Sequence, residues 1–359
     1  MDKKDLSLCA LAIGSLPHSV TSEAMELVKD CFSTIPFFPQ LANVQKNEDM
    51  VFQILERMAG VVHTPEKFYI SSESEDFFMG LEELFMDYEE CIADSSSPTL
   101  DKYSISKDYS SSFKPFLDIV KEEKPKFAKG QIIGPFTLAT SMNDQEGRCA
   151  FYDETLREVI VKTLILKALW QIKKIKDANP NTTPIIFMDE PSISQLGTSA
   201  FITVSQEDVI SILKEVSDVI RENGGLSAIH CCGKCDWTIP IKAGVNILNL
   251  DAFMYAENLS LFADDVKDFI NNGGYITWGV VPTLDVKALS EITLEVAIEK
   301  FENAINLLVK KGLDEKKLLA QSLVSTSCGA GGLSVELAKK AMTLTKELSK
   351  SLKEKYIDC

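Results

Sequence analysis

The chain has 359 residues, enough for one large barrel or two average domains, and enough to bury a core without disulfides or metal as staples. It is 45% hydrophobic and 25% charged, which excludes a disordered, collagen-like or fibrous chain. Against 37 Lys and Arg stand 53 Asp and Glu, a net charge of −16 that argues against nucleic acid and anionic membranes as partners.

The N-terminal segment has too short an apolar stretch before Pro17 to read as a secretory signal, and no run approaches the length of a membrane span, so a cytoplasmic protein is expected. From there, short β-rich runs recur, each ending in Gly, Pro or a polar cluster. They cover Leu8 to Pro17, Thr34 to Leu41, Lys129 to Ala139, Thr183 to Pro191, Leu226 to Cys232, Val245 to Phe253, Gly274 to Thr283 and Lys317 to Thr326. Amphipathic helical stretches separate them: 156–178 before the fourth run, 206–223 before the fifth, 294–312 before the eighth, and 333–356 after it. Strands alternating with helices predict parallel βα units, and eight such units predict a single (β/α)8 TIM barrel spanning residues 1–359. The one long departure, about residues 43–128, is acidic and Ser-rich, and is expected to be an insertion after the second strand that lies over the mouth as a lid.

Barrel chemistry sits where strands end. The ends here are polar: Gly14-Ser15, Gln40, Gly134 to Thr137, Asp189-Glu190, His230 to Cys232, Asp251, Thr283, and Cys328-Gly329 past the last strand. His230 and Cys232 are two apart on a predicted strand, so they face one way while Cys231 faces the other. Cys328 lies across the mouth, completing a three-ligand set with an open position that Asp251 can fill, the pattern of a catalytic zinc site. Two alternatives stay open on spacing alone. The nine cysteines can be scattered thiols, with Cys9, Cys31, Cys91 and Cys149 as core filler, and Cys232-Gly233-Lys234-Cys235 can be a redox pair or half of a metal knuckle.

Taken together the motifs resemble the catalytic barrel of cobalamin-independent methionine synthase, in the superfamily that also holds uroporphyrinogen decarboxylase and corrinoid-linked zinc methyltransferases. Ile13-Gly14-Ser15-Leu16-Pro17 is similar to the segment that holds the amino-acid end of homocysteine, Gly134-Pro135-Phe136-Thr137 to the segment after the third strand, and Asp189-Glu190-Pro191 to the motif whose aspartate takes the substrate amino group. His230, Cys232 and Cys328 match the zinc ligands, and Asp251 falls where the synthases carry a glutamate ligand. The resemblance implies a zinc-dependent methyltransferase of methionine biosynthesis acting on a small thiol. Asp189 and Asp251 are then the candidate catalytic carboxylates. Ile13, Gly14, Ser15, Asp189 and Glu190 are the substrate-binding set, with Asp189 or Glu190 on the ammonium and Ser15 with the backbone around Gly14 on the carboxylate. This chain lacks the synthases' second barrel for folate, and Val280 to Asp285 contains no counterpart of their proton-donating histidine. A methylated corrinoid protein or another small methyl compound, rather than folate, is therefore the expected methyl donor. A metal-free decarboxylase-like lyase is the alternative enzyme, favoured by Phe37-Phe38-Pro39-Gln40, and a thiol–metal store with all four positions filled by protein, for example through Cys235, is a non-catalytic one.

Overall fold

The computed structural model describes residues 6–63 and 68–357. Residues 1–5, at the head of the N-terminal segment, residues 64–67 of the insertion, and residues 358–359 lie outside the described residues. The strands in chain order are β1 (Ala10–Leu11), β2 (Val61–His63), β3 (Phe68–Ile70), β4 (Phe127–Ile133), β5 (Thr183–Asp189), β6 (Leu226–Cys231), β7 (Ile247–Leu250), β8 (Tyr275–Val281) and β9 (Ser322–Thr326). Seven of them form one all-parallel sheet in the order β1-β9-β8-β7-β6-β5-β4, and β2 and β3 form a separate antiparallel pair inside the insertion. The expected helices are present as Glu154–Ala178, Gln206–Glu222, Leu294–Val309 and Val335–Tyr356. No helix among the described residues is long and apolar enough to cross a membrane.

The second expected strand, Thr34 to Leu41, does not form a ladder. Pro36 and Pro39 remove two backbone donors from this short stretch, so continuous pairing is impossible. What remains are isolated parallel bridges on either side, Phe37 with Lys129 of β4 and Gln40 with Ser15 just past β1. The Lys129 N–H donates to the Pro36 carbonyl (2.8 Å) and the Gln40 N–H to that of Gly14 (3.1 Å).

Alternation along the strands sorts side chains onto two faces. One face packs under the surrounding helices through residues such as Met188, Ile229, Leu248 and Trp278. The other gathers a smaller cluster to which seven of the eight runs contribute, joined by Phe127 of β4 just ahead of the third run: Cys9 and Leu11, Ile35, Phe127, Ile185 and Phe187, Ala228, Ile247, Tyr275 and Leu323. Two or four positions further along, the same face turns polar, with Lys129, Gln131, Asp189, His230, Asn249, Thr277 and Ser325, all buried. The inner face is thus apolar where the strands begin and polar where they end.

Two of the motifs prove to be one structural unit. Glu190 is fully buried, and its carboxylate accepts the N–H groups of Phe136 and Thr137 (2.9 Å each) and the Thr137 hydroxyl (2.6 Å) at the start of the helix Pro135–Ser141. Burial pushes its pKa up to about 7, against the pull of these donors. A Cβ on Gly134 would lie 2.0 Å from the Glu190 carboxyl carbon, so only glycine lets the two segments close. The insertion splits in role. Its first residues reach the ends of the strands, while its helices clad the outside, Phe113 stacking on Trp170 of the helix Glu154–Ala178 at 4.5 Å between ring centroids.

Gly134→Ala is expected to destabilise the protein by about 2 kcal/mol or more, the cost of overpacking a site with no room to relax. Chemical denaturation checks this, with Gly332→Ala as the comparison for a glycine whose added Cβ meets nothing nearby and whose φ suits any residue.

Candidate metal centre

His230 is the last residue but one of β6, Cys232 is the first residue past that strand, and Cys328 lies two residues past β9. Their ligand atoms all fall within 4.8 Å of one another, the one such grouping of His, Cys, Asp and Glu among the described residues. This is the geometry of a three-ligand metal site.

Each ligand is held by its surroundings. The His230 Nδ1–H donates to Asn249 Oδ1 on the neighbouring strand β7. The amide of Asn249 cannot turn over, because its Nδ2 donates to the Thr277 carbonyl (3.1 Å) and to Ser325 Oγ (2.9 Å). That fixes the proton on Nδ1 and leaves the Nε2 lone pair aimed away from the strand, buried and without a partner. Cys328 is pinned through its backbone: its N–H donates to Thr283 Oγ1 (3.0 Å), and its carbonyl accepts the hydroxyls of Thr283 and Thr326 (2.9 Å each). The Ser15 hydroxyl accepts the Gly331 N–H (3.2 Å), and a Cβ on Gly329 would sit 2.2 Å from that oxygen. Because β1 pairs with β9, the first and last motifs of the chain thus pack directly on each other.

The two thiols titrate as a pair. A hydrogen bond from the Cys328 thiol, then the neighbouring His230 imidazole, holds the Cys232 pKa down to about 4, while that same bond and burial push Cys328 well above the ordinary thiol value. Burial opposes charge on His230, but Cys232 and Asp189 outweigh it and raise its pKa.

Asp251 stands next to this triplet but outside it. Its Oδ1 caps the helix Ala252–Ser260 by accepting the Met254 N–H (2.9 Å), and its buried Oδ2 has no partner. Burial raises its pKa to about 6, with the Cys232 charge acting in the same direction. Cys235 is also outside the triplet, its backbone N–H donating to Asn258 Oδ1 (2.9 Å), and Cys231 is buried on the helix side of the sheet. Eight cysteines among the described residues are free thiols.

His230, Cys232 and Cys328 form part of the wall of a cavity of about 380 Å³ that also takes in Ile13, Ser15 and Asp189. Gly14, Glu190 and Asp251 do not line it. Gly14 instead packs against the Gln131 amide, where a Cβ would meet Oε1 at 2.6 Å. Asp189 is buried with its Oδ1 unpartnered, and burial raises its pKa against the pull of Lys129. Lys129 lies deeper, its Nζ donating to the Ile13 carbonyl and to Gln131 Oε1 (2.6 Å), 4.8 Å from the Phe187 ring centroid, and burial pushes its pKa down to about 8.

Sequence reasoning missed two residues. Asn249 carried a signal, since it alternates with Asp251 on the same run and so shares its face. Glu48 carried none. It comes from the insertion, lines the cavity and is fully buried; one carboxylate oxygen accepts the Ser111 N–H (2.9 Å) and the other has no partner.

No family model matches the chain, and a search of curated proteins finds no match.

Cys232→Ser and Cys328→Ser are each expected to abolish stoichiometric zinc binding, while Cys231→Ser and Cys235→Ser keep it; metal analysis of the purified variants decides. Asn249→Ala should weaken zinc by about 10 to 100 fold, the usual effect of removing the partner that orients a ligating histidine. Because Cys328 keeps its proton until a metal displaces it, zinc affinity measured against a competing chelator should rise by about tenfold per pH unit above the His230 pKa, and more steeply below it, where His230 is also charged.

Proposed function

We propose that this chain is a cytoplasmic zinc-dependent methyltransferase built on a closed (β/α)8 barrel, acting on a small amino-acid thiol of the homocysteine type. The barrel reading is supported by the parallel bridges that Phe37 and Gln40 make to the two ends of the seven-stranded sheet, and by the inner cluster that draws on all seven of its strands and on Ile35 of the segment between its ends. The observation that carries the activity is the convergence, on one cavity, of an unpartnered His230 Nε2, two thiols and an unpartnered Asp189 oxygen.

One nitrogen and two sulfur ligands suit zinc among the common metals. Bound there, zinc would take the substrate sulfur at its open position and hold it as a thiolate, which a free thiol near neutral pH is not. The chain's own residues do the rest. Asp189, whose Oδ1 lacks a donor, takes the substrate ammonium, and Glu48 offers a second unpartnered oxygen across the cavity. Ser15, whose hydroxyl oxygen holds the Gly331 N–H, keeps its hydroxyl proton for the carboxylate end, beside the open backbone of Gly329, Gly331 and Gly332 in the cavity wall. These contacts orient the sulfur, and orientation is the larger part of catalysis for a displacement at a methyl group.

The segment after β8 holds no histidine, and its Thr283 is engaged with Cys328. This favours a donor whose leaving group departs without taking up a proton, as a methylated corrinoid protein's does. The decarboxylase reading fares worse, because the cavity wall carries Glu48, Asp49 and Asp189 and neither Lys nor Arg, the reverse of what a substrate rich in carboxylates requires. A metal store needs four protein ligands, and the cluster supplies three.

Calorimetry on zinc-loaded protein tests the reading. Homocysteine should bind, and Asp189→Ala should weaken it by about 2 to 5 kcal/mol, the range for leaving a buried charge unpaired. A simple alkyl thiol should bind both proteins alike. Equal losses for both thiols, or none for either, would remove the amino-acid substrate, and failure to form methionine from homocysteine with any methyl-corrinoid would remove the transfer.

A further inference from the structure

The helix Glu75–Ala93 in the insertion shows a second feature, independent of the metal centre. Its inner side, with Phe77, Leu84 and Cys91, is buried, and its neighbour Lys162 lies over the Tyr88 ring at 4.5 Å. Its outer side is apolar where solvent should make it polar. Phe78 and Met79 are each 58% exposed and Met86 is 61% exposed, with Ile92 also exposed further along. Helical spacing joins them into one patch: Met79, Glu82, Met86 and Glu89 follow a single row at steps of three and four, and Phe78 and Ile92 lie on the adjoining row. From Phe78 to Ile92 the patch runs about 21 Å, at 1.5 Å per residue.

The charge around it has one sign. The helix carries seven Asp and Glu and no Lys or Arg. Glu83 and Asp87 are engaged by Lys102 (2.9 and 3.0 Å), and Glu90 by Ser97 and Thr99. Glu75, Asp76, Glu82 and Glu89 are exposed and make no ion pair among the described residues. An apolar row edged by unmatched carboxylates calls for a partner with the opposite edges. A second copy of this chain is a poor one, since two such faces would set glutamates against glutamates on molecules that each carry −16.

We propose that the outer face of the helix Glu75–Ala93 is a docking surface for a basic amphipathic helix of another protein, its apolar side on Phe78, Met79, Met86 and Ile92 and its Lys or Arg against Glu75, Glu82 and Glu89. Two unbranched methionines let the surface adapt to apolar residues at i, i+3, i+4 and i+7 of the incoming helix, and the carboxylates on either side set its specificity.

The test uses the full chain and two synthetic peptides of about 18 residues, enough to cover the patch as a helix. Both contain the same Lys and Leu, arranged in one as an amphipathic helix and in the other scrambled. By calorimetry at physiological salt, the amphipathic peptide should bind one per chain and at least about tenfold more tightly than the scrambled one. The double variant M79E/M86E should lose about tenfold in affinity for it with an unchanged melting temperature, and E82K/E89K should lose a similar amount by charge reversal alone. Equal binding of both peptides, or unchanged binding in both variants, overturns the proposal. Sedimentation showing a dimer that M79E/M86E dissociates would assign the face to a second copy and overturn it equally.

Discussion

A polar atom taken out of water must find a partner, and on the inner face of this sheet the matching runs sideways from strand to strand. Asn249 is the hub. It accepts from His230 on one side and donates to the Thr277 carbonyl and Ser325 on the other, so β6, β7, β8 and β9 are tied at the same depth. The Asn249 amide is fully matched, whereas the His230 Nε2, like Asp189 Oδ1 and Thr277 Oγ1 on the same face, has no partner, and the thiols of Cys232 and Cys328 converge on it. The candidate centre depends on this arrangement more than on any property of the ligands alone.

A second layer of matching fixes the loops that carry the rest of the cavity. Glu190 spends its carboxylate on the helix start at Phe136 and Thr137, which frees its neighbour Asp189 to face the cavity. Thr283 spends both its hydrogen-bonding functions on the backbone of Cys328. Three glycines, at 134, 14 and 329, stand where a Cβ would collide with Glu190, Gln131 and Ser15. The polar strand ends therefore divide into residues that build the cavity and residues that face it, a division made by hydrogen bonds and close packing.

The charge inside the cavity follows the same economy of partners. Lys129, buried below it, is turned toward the Ile13 carbonyl and Gln131, and the wall above holds three carboxylates and neither Lys nor Arg. Two thiolates and a histidine around a divalent ion would leave the centre near neutral, so the charge of the cavity would rest with its carboxylates, Glu48, Asp49 and Asp189.

Much of this was legible in the chain. Period-two alternation on the β-rich runs and helical periodicity between them specify parallel βα units, and a two-residue spacing puts His230 and Cys232 on one side of their strand and Cys231 on the other, because these follow from backbone geometry alone. Other features follow from contacts between segments far apart in sequence, and local pattern does not encode them. Thr34 to Leu41 reads as a strand from its apolar residues, but whether its prolines leave it bridges or a ladder depends on the strands at its sides. Asp189 and Glu190 are adjacent carboxylates with equal claim to a ligand; only the position of the Phe136 and Thr137 N–H groups decides that Glu190 turns away. Asp251 matches a ligand by position, yet the helix that begins after it takes one of its oxygens. Glu48 enters the cavity because the insertion folds back at its start and Ser111, 63 residues later, holds it there, a long-range closure that no spacing in the sequence announces.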